Sequence, residues 1–336
     1  MLKHYTIPVF IPELACPFQC VFCNQQKISG HQHIPDEKEI RQTITDHLQS
    51  FKQKDRVVEV GFFGGSFTGI PPEEQKRFLS VIQPFLDSGD IQAIRLSTRP
   101  DYISQEILAL LKEYRVTTIE LGAQSMDEEV LLKSFRGHTA RQTEEASKLI
   151  LDYGFELGLQ MMIGLPGDTP EKSLYTAKRI IELGASNTRI YPALVIKDTA
   201  MHRWYEQGKY IPLSMEEAID RTKQILPLFE EAGVTVLRVG LHPSEGLLSG
   251  DELVAGPFHP SFKELVLTEI WHDELKSIIT EEKKGGKLII YVPEKELNYA
   301  VGYEGKNKKM LLERFQEVKF IPDQSLKNRE FSFRII

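Results

Sequence analysis

Val57-Val58-Glu59-Val60-Gly61-Phe62-Phe63-Gly64-Gly65-Ser66 is an apolar run that stops on two glycines, and Pro71-Pro72-Glu73-Glu74 follows it with the prolines and first-turn acids of a helix start. A short apolar run bounded in this way reads as a buried strand. The strand, loop and helix unit recurs on both sides of it. Strands are expected at 5–10, 57–63, 91–97, 116–122, 155–163 and 187–193, and helices near 36–52, 72–87, 104–114, 140–152, 170–184 and 214–232. Thr169-Pro170-Glu171 repeats the helix-start signal. Strands separated by helices pair in parallel through right-handed crossovers, so the first two thirds of the chain read as α/β. In closed barrels of such units the chemistry gathers at the C-terminal ends of the strands.

The chain has 336 residues, of which 41% are hydrophobic, enough for one large domain and a smaller one. The boundary is expected near 245, giving domains 1–245 and 246–336. No apolar run approaches the roughly 20 residues of a membrane span. Met1-Leu2-Lys3-His4-Tyr5 opens no long apolar stretch, so no signal peptide is expected. The net charge of −7 argues against a surface coated uniformly for nucleic acid. Charge is uneven, however: residues 283–336 hold twelve Lys and Arg against seven Asp and Glu, a balance of +5. A basic region on an acidic chain suits a polyanionic partner, and equally a solvated lysine-rich surface.

All three cysteines fall in Cys16-Pro17-Phe18-Gln19-Cys20-Val21-Phe22-Cys23, the spacing C-x3-C-x2-C. Thiolates suit zinc or iron-sulfur clusters. A closed zinc site wants four ligands, which His31 or His33 would have to complete. The third alternative is three unrelated buried thiols, although such residues have no reason to cluster. With no fourth cysteine in the chain, a cubane held here has one iron without a protein thiolate, and that iron is open to a substrate. Clustered thiols without an even disulfide framework point to a reducing cytoplasm.

The cysteine spacing, with aromatic Phe22 before the last cysteine, resembles the signature of the radical S-adenosylmethionine (SAM) superfamily. The resemblance extends along the chain. Gly64-Gly65-Ser66 looks like the glycine-rich strand end that receives SAM's amino group. Ser97-Thr98-Arg99-Pro100-Asp101 follows the third strand, and Glu120-Leu121-Gly122-Ala123-Gln124-Ser125 the fourth, with Ser134-Phe135-Arg136-Gly137-His138-Thr139 downstream. Gln160-Met161-Met162-Ile163-Gly164-Leu165-Pro166-Gly167-Asp168 ends the fifth. In this order they resemble the elongator catalytic-subunit branch, which modifies tRNA, and its oxygen-independent coproporphyrinogen dehydrogenase relatives. The match covers roughly residues 5 to 195.

That resemblance implies a partial (β/α)6 TIM-type barrel. It implies a 4Fe-4S cluster on Cys16, Cys20 and Cys23, with SAM's methionine along Gly64, Gly65 and Ser66. Gln124 and Arg136 match residues that hold SAM's ribose and carboxylate, a task that suits a permanently charged, forked guanidinium. Ile163 and Gly164 match the position that meets adenine. Two departures stand out: Ser97 replaces the glutamate of the elongator pattern, and Gln160 the aspartate of the porphyrin relatives. Both still hydrogen-bond a ribose hydroxyl, without its negative charge. The implied activity is reductive cleavage of SAM to a 5'-deoxyadenosyl radical, fed by an external one-electron donor of the flavodoxin or ferredoxin type. No further thiols exist for a methyl-carrying cysteine or a second cluster. The elongator subunit has an acetyltransferase domain after its barrel, and an acetyl-CoA-dependent mechanism is not carried over here.

After a helix expected at 260–282, Lys287-Leu288-Ile289-Ile290-Tyr291-Val292 reads as a strand, the stretch from Pro293 to the loop as holding a short helix, Gly302-Tyr303-Glu304-Gly305 as Gly-x-x-Gly, and 310–315 and 318–322 as helix and strand. This order, and the wording Ala300-Val301-Gly302-Tyr303-Glu304-Gly305-Lys306-Asn307, resemble a KH-like RNA-binding α+β domain. In KH domains the loop clamps the nucleotide backbone. Gly302 and Gly305 would allow close approach, and Lys306, Lys308 and Lys309 at a helix start favour phosphate; Glu304 opposes it. A lone Gly-x-x-Gly is otherwise an ordinary turn.

The leading expectation is therefore a radical SAM enzyme that modifies an RNA, tRNA or rRNA. One alternative keeps the enzyme and makes the substrate small, such as a tetrapyrrole. The other is a non-catalytic RNA-binding protein with a structural metal site. His31, His33, Tyr191 and Arg238 are conceivable substrate-facing residues that sequence alone does not separate from surface or core positions.

Overall fold

The computed structural model describes residues 3–11, 20–24, 27, 33–53, 55–279 and 285–336. Cys16 and His31 lie outside the described residues. Contacts divide the chain into two compact units, Met1–Ala218 with Ile225–Phe258, and Ile219–Gln224 with His259–Ile336.

The first unit is built on alternating strands and helices: β1 (Lys3–Phe10), α1 (Glu37–Ser50), β2 (Arg56–Phe63), α2 (Pro72–Asp87), β3 (Ala93–Thr98), α3 (Gln105–Glu113) and β4 (Thr118–Gln124). It continues through α4 (Glu128–Lys133), α5 (Ala140–Asp152), β5 (Glu156–Ile163), α6 (Pro170–Glu182), β6 (Asn187–Pro192), β7 (Val195–Ile196) and α7 (Ala200–Glu206). Helix α8 (Met215–Glu231), β8 (Thr235–Val239), α9 (Glu245–Leu248) and β9 (Leu253–Ala255) complete it. The main sheet runs β1-β2-β3-β4-β5-β6-β8 and curls into a half-barrel. Every neighbouring pair in it is parallel.

Helix starts follow the residues that signalled them. Asp36 accepts from the Glu39 amide while the Glu39 carboxylate accepts from the Asp36 amide, so two orphan donors at the start of α1 are satisfied reciprocally. Thr169 caps α6 one residue before Pro170 at its first turn. The sheet has a seventh strand that the six-strand reading lacks. Thr235-Val236-Leu237-Arg238-Val239 is short, carries an arginine and is half exposed, so it makes no apolar run; pairing to β6 is what makes it a strand. One face of each central strand packs beneath the helices, with Val60, Ile94, Ile119, Leu121, Leu157 and Leu159 fully buried. Side chains alternate along a strand, so the residues between them face the interior of the half-barrel.

In the second unit α10 (Phe262–Lys276), β10 (Lys287–Val292), α11 (Leu297–Val301), α12 (Lys306–Leu312), β11 (Glu317–Pro322) and β12 (Ser332–Ile335) enclose a core around Trp271, Leu275, Leu288, Ile290 and Leu311. The helix expected over 260–282 ends at Lys276, and residues 280–282 lie outside the described residues. Strand β10 is central, parallel to β11 and antiparallel to β12. No helix among the described residues is long and apolar enough to cross a membrane.

Asn307, at the start of α12, is fully buried. Its amide donates to the Thr268 and Tyr299 carbonyls at 3.0 and 3.4 Å and accepts from His272 Nδ1 at 3.0 Å. A buried amide that loses its partners leaves them unsatisfied. Asn307→Ala is expected to destabilise this unit by about 1–3 kcal/mol, measured by urea unfolding; a change below about 0.5 kcal/mol, the size of an ordinary surface substitution, would show that the bonds carry no net stability.

Candidate active site

A cavity of about 680 Å3 opens among the half-barrel strands, within the range of small-molecule sites. Strand alternation decides what lines it. His4, Thr6, Pro8 and Phe10 face it from β1, Gln160 and Met162 from β5, and Arg189 and Tyr191 from β6. The loops after β1 to β4 add Cys20, Phe22, Cys23, Gly64, Gly65, Ser66 and Arg99, with Gly122, Gln124 and Arg136 alongside.

The interior is polar and closed on itself. Arg95 donates to Glu59 at 3.0 Å, to Glu120 at 2.9 Å and to Asn187 at 3.1 Å. Arg189 forks onto Glu120 at 2.7 and 3.0 Å, and Gln160 donates to the same carboxylate at 2.7 Å. Thr6 donates to Glu59 at 2.6 Å. Register explains the convergence, since Thr6 and Glu59, Ser97 and Glu120, and Gln160 and Arg189 are cross-strand partners. Burial works to raise the Glu120 pKa, but Arg189 and Arg95 outweigh it and hold the carboxyl below its usual range. Burial likewise opposes the charge on Arg189, and Glu120 reverses that, lifting its pKa above the ordinary value.

The cysteine corner is held by a chain of contacts. The Val21 amide donates to the Ser134 carbonyl at 3.2 Å, the Met201 amide to the Val21 carbonyl at 2.8 Å, and the Cys23 amide to the Cys20 carbonyl at 3.0 Å. These bonds place buried Cys20 against Arg136, whose Nη1 lies 3.2 Å from the Cys20 sulfur while Nη2 donates to the Gly122 carbonyl at 2.5 Å. A side chain at position 122 would meet Gln124 Nε2 at 2.9 Å and Arg136 Nη2 at 3.3 Å, so glycine is what allows the guanidinium in. Gly64 sits at φ +99°, a conformation that side chains rarely adopt, directly where β2 opens into the cavity.

Arg99, from the Thr-Arg-Pro-Asp stretch, is a support for this corner. It forks onto Asp101 at 2.9 and 3.0 Å and donates to the Arg136 carbonyl at 2.6 Å. Asp168 plays the same part after β5, accepting from the Gly164 amide and the Ser173 hydroxyl, both at 2.7 Å. His138 is buried; desolvation, reinforced by Arg136 and Arg99, pushes its pKa down to about 3, so it is neutral and the local positive charge belongs to the arginines.

The structure brings Cys20, Cys23, Gly64, Gly65, Ser66, Ser97, Gln124, Arg136 and Gln160 to one cavity. The Gln160 amide is already engaged, by Glu120 and by the Ser97 hydroxyl at 3.2 Å, so Ser97 and Gln160 belong to the interior network. Ile163 is fully buried, and it is the neighbouring Met162 that lines the cavity. His33 pairs with Glu39 on the surface. Tyr191 and Arg238 line the cavity. Sequence reading missed Glu59, Arg95, Glu120 and Arg189; the available signal was a charged residue at the inward parity of an otherwise apolar strand.

The residues suit a thiolate-bound cluster and an amino-acid ligand. Two soft sulfurs face the cavity beside a buried guanidinium, and both Arg136 Nε and Gln124 Oε1 are buried without a hydrogen-bond partner. Residues 11–180 match the family model described as "Radical SAM superfamily", and 186–272 that described as "Radical_SAM C-terminal domain". The chain belongs to the radical SAM superfamily. A tRNA uridine(34) acetyltransferase from Dehalococcoides mccartyi is 23% identical over 61% of this chain, and one from Methanocaldococcus jannaschii 33% identical over 40% of it. The matched regions are 52% and 26% of those relatives' own lengths. The solved structure of the archaeal Methanocaldococcus infernus Elp3, with an N-terminal deletion, is similar in fold at a TM-score of 0.65 and 21% identity, covering 85% of this chain and 66% of that one.

Glu120→Gln leaves two buried guanidiniums without their shared carboxylate, and a loss of about 3–5 kcal/mol at pH 7 is expected. The folded-state pKa of Glu120 lies below its ordinary 4.5, so its contribution is fully present above that value and is lost as pH falls through the lowered one. The gap between wild type and Glu120→Gln should therefore narrow below about pH 4.5. A gap that stays constant from pH 7 to pH 3 in denaturant titrations would assign it to packing instead.

Proposed function

We propose that this chain is an enzyme that cleaves SAM reductively and uses the resulting radical to modify a tRNA. The observation that carries this reading is the corner where Cys20 and Cys23 meet the Arg136 guanidinium and the Gly64-Gly65 strand end in one cavity. Cys16, Cys20 and Cys23 would hold a 4Fe-4S cluster, which when bound with SAM supplies an electron to the sulfonium and so a 5'-deoxyadenosyl radical able to take hydrogen from carbon.

The protein's own residues bind, orient and shield. Arg136, whose Nε lacks a partner, offers that donor and its positive charge to SAM's carboxylate. Gly64, without a side chain, leaves room for the backbone to approach the amino group. Gln124 offers a buried, unpartnered carbonyl oxygen that accepts from a ribose hydroxyl. Phe10, Phe63 and Met162 give the cavity its apolar lining, which excludes bulk water from the site.

The tRNA substrate is supported by the names of the relatives and by the second unit. There the order β10, α11, Gly302-Tyr303-Glu304-Gly305, α12, β11 is compatible with the KH-like reading of the sequence, and we assign it the role of holding RNA. Lys308 and Lys309 are exposed beside the loop, whereas Lys306 is engaged by Glu269. A one-electron donor of the flavodoxin or ferredoxin type is required, and clustered thiols suit the cytoplasm.

Anaerobically reconstituted protein is expected to show a shoulder near 400 nm and to release 5'-deoxyadenosine from SAM under a strong reductant. Cys20→Ala should abolish both, and protein that binds only zinc would end the reading. Lys308→Glu with Lys309→Glu should weaken tRNA binding at least about tenfold and flatten its salt dependence by about two counterions; unchanged affinity would remove the second unit from substrate binding.

A further inference from the structure

Arg99, Arg136, Arg189 and Arg238 all line the cavity; the first and third face carboxylates, and Arg136 is the guanidinium assigned to SAM's carboxylate above. Arg99 forks onto Asp101, Arg189 onto Glu120, and Arg136 lies against the Cys20 sulfur. Arg238, on the last strand of the sheet, is different. Its Nη2 lies 3.1 Å from His242 Nδ1, its Nε is buried without a hydrogen-bond partner, and among the described residues no carboxylate pairs with it.

Register makes the imbalance sharper. Arg189 and Arg238 are cross-strand partners on β6 and β8, and both face the cavity. Like charges directly opposite one another are destabilising. Glu120 neutralises Arg189 only. Desolvation, with Arg189 adding to it, pushes the Arg238 pKa down, the reverse of what a counterion would do. A guanidinium stays charged at neutral pH all the same, so beyond Arg136 the site holds a second cation with no carboxylate among the described residues.

The neighbours of Arg238 complete a donor set. Tyr191 lies within its electrostatic range, and burial raises the Tyr191 pKa, so the phenol keeps its proton. His242, kept neutral by burial and by Arg238, accepts through Nδ1, which leaves its proton on Nε2 as a donor. Leu237 and Leu241 line the same cavity and lower the local polarity, which strengthens a charge-assisted bond formed there.

We propose that Arg238, Tyr191 and His242 form a subsite for an oxyanion, the phosphate or carboxylate of the molecule on which the enzyme acts. Calling the ligand a substrate rests on the function proposed above; the anion site itself does not. A forked, half-buried guanidinium binds phosphate or carboxylate through two parallel hydrogen bonds, and the adjacent phenol and imidazole supply a third and fourth.

The test uses reconstituted protein saturated with SAM, so that SAM's own carboxylate is already bound, with inorganic phosphate as one probe and acetate as the other. Calorimetric titration should show saturable binding of at least one of them. Arg238→Gln should weaken it at least about tenfold, and Arg238→Lys less, because the charge stays while the fork is lost. In the unsubstituted protein, phenylglyoxal should label Arg238, as mapped by mass spectrometry, and the bound anion should protect it. Protection at lower concentration by phosphate assigns a phosphate-bearing ligand, and by acetate a carboxylate. Unchanged affinity in Arg238→Gln, or labelling of Arg238 indifferent to both anions, overturns the proposal. Wild-type protein that binds anion at Arg238 but releases no 5'-deoxyadenosine would instead overturn the function reading and leave the anion site standing.

Discussion

Glu120 is a carboxylate with almost no access to water, and donors from three other strands meet on it. Arg95 arrives from β3, Gln160 from β5 and Arg189 from β6. An ion cluster of this kind adds little net stability, because desolvation offsets much of the attraction. What it does fix is alternation. A slip of β4 by one residue would turn Glu120 toward the helices and bring Leu121 inward, leaving Arg189 without a carboxylate and Arg95 with Glu59 alone. Every inward-facing residue of the cavity depends on that parity being right, which makes the polar network a register device for the half-barrel.

The cysteine corner depends on a second constraint, close backbone approach. Phe135 at φ 51° ends the α4 segment and turns the chain so that Arg136 points back into the fold. Gly122 leaves the gap that this guanidinium enters, and Arg99 holds the Arg136 carbonyl from the other side. Arg99 thus acts through Arg136. An arginine held at both its backbone and its fork has little freedom left, and a guanidinium fixed in this way loses little entropy when it binds a carboxylate.

The α/β alternation was legible because β2, β4 and β5 are nearly continuous apolar runs bounded by turn residues, as strands covered by helices are. Strand β8 was not, since five residues with an arginine in the fourth place carry no periodic signal until β6 supplies a partner. At the site, the sequence singled out Cys20, Cys23 and the Gly64-Gly65 pair, which share one cavity, because clustered thiols and paired glycines are residue types that few other settings require. Glu59, Arg95, Glu120 and Arg189 were not, because a charge inside a strand looks like a solvent-facing residue until the curl of the sheet decides which parity is interior. Ile163 and Met162 show the same limit: one residue of parity separates a fully buried side chain from one that lines the cavity.

The second unit raises the question of what a Gly-x-x-Gly loop can do when its neighbours are committed to the fold. Asn307 is spent on Thr268, Tyr299 and His272, and Gly302 leaves room that a side chain would take from the Asn307 amide at 2.9 Å. Lys306 answers Glu269. The loop is therefore tied to α10, and Glu304, exposed at φ 51°, puts a negative charge where a phosphate would approach. Lys308 and Lys309 are left to face solvent on α12. If the loop holds RNA, as proposed above, its contribution is a backbone edge tied to α10 and two exposed cations, which suit the shape and charge of a phosphate chain and not the reading of a base.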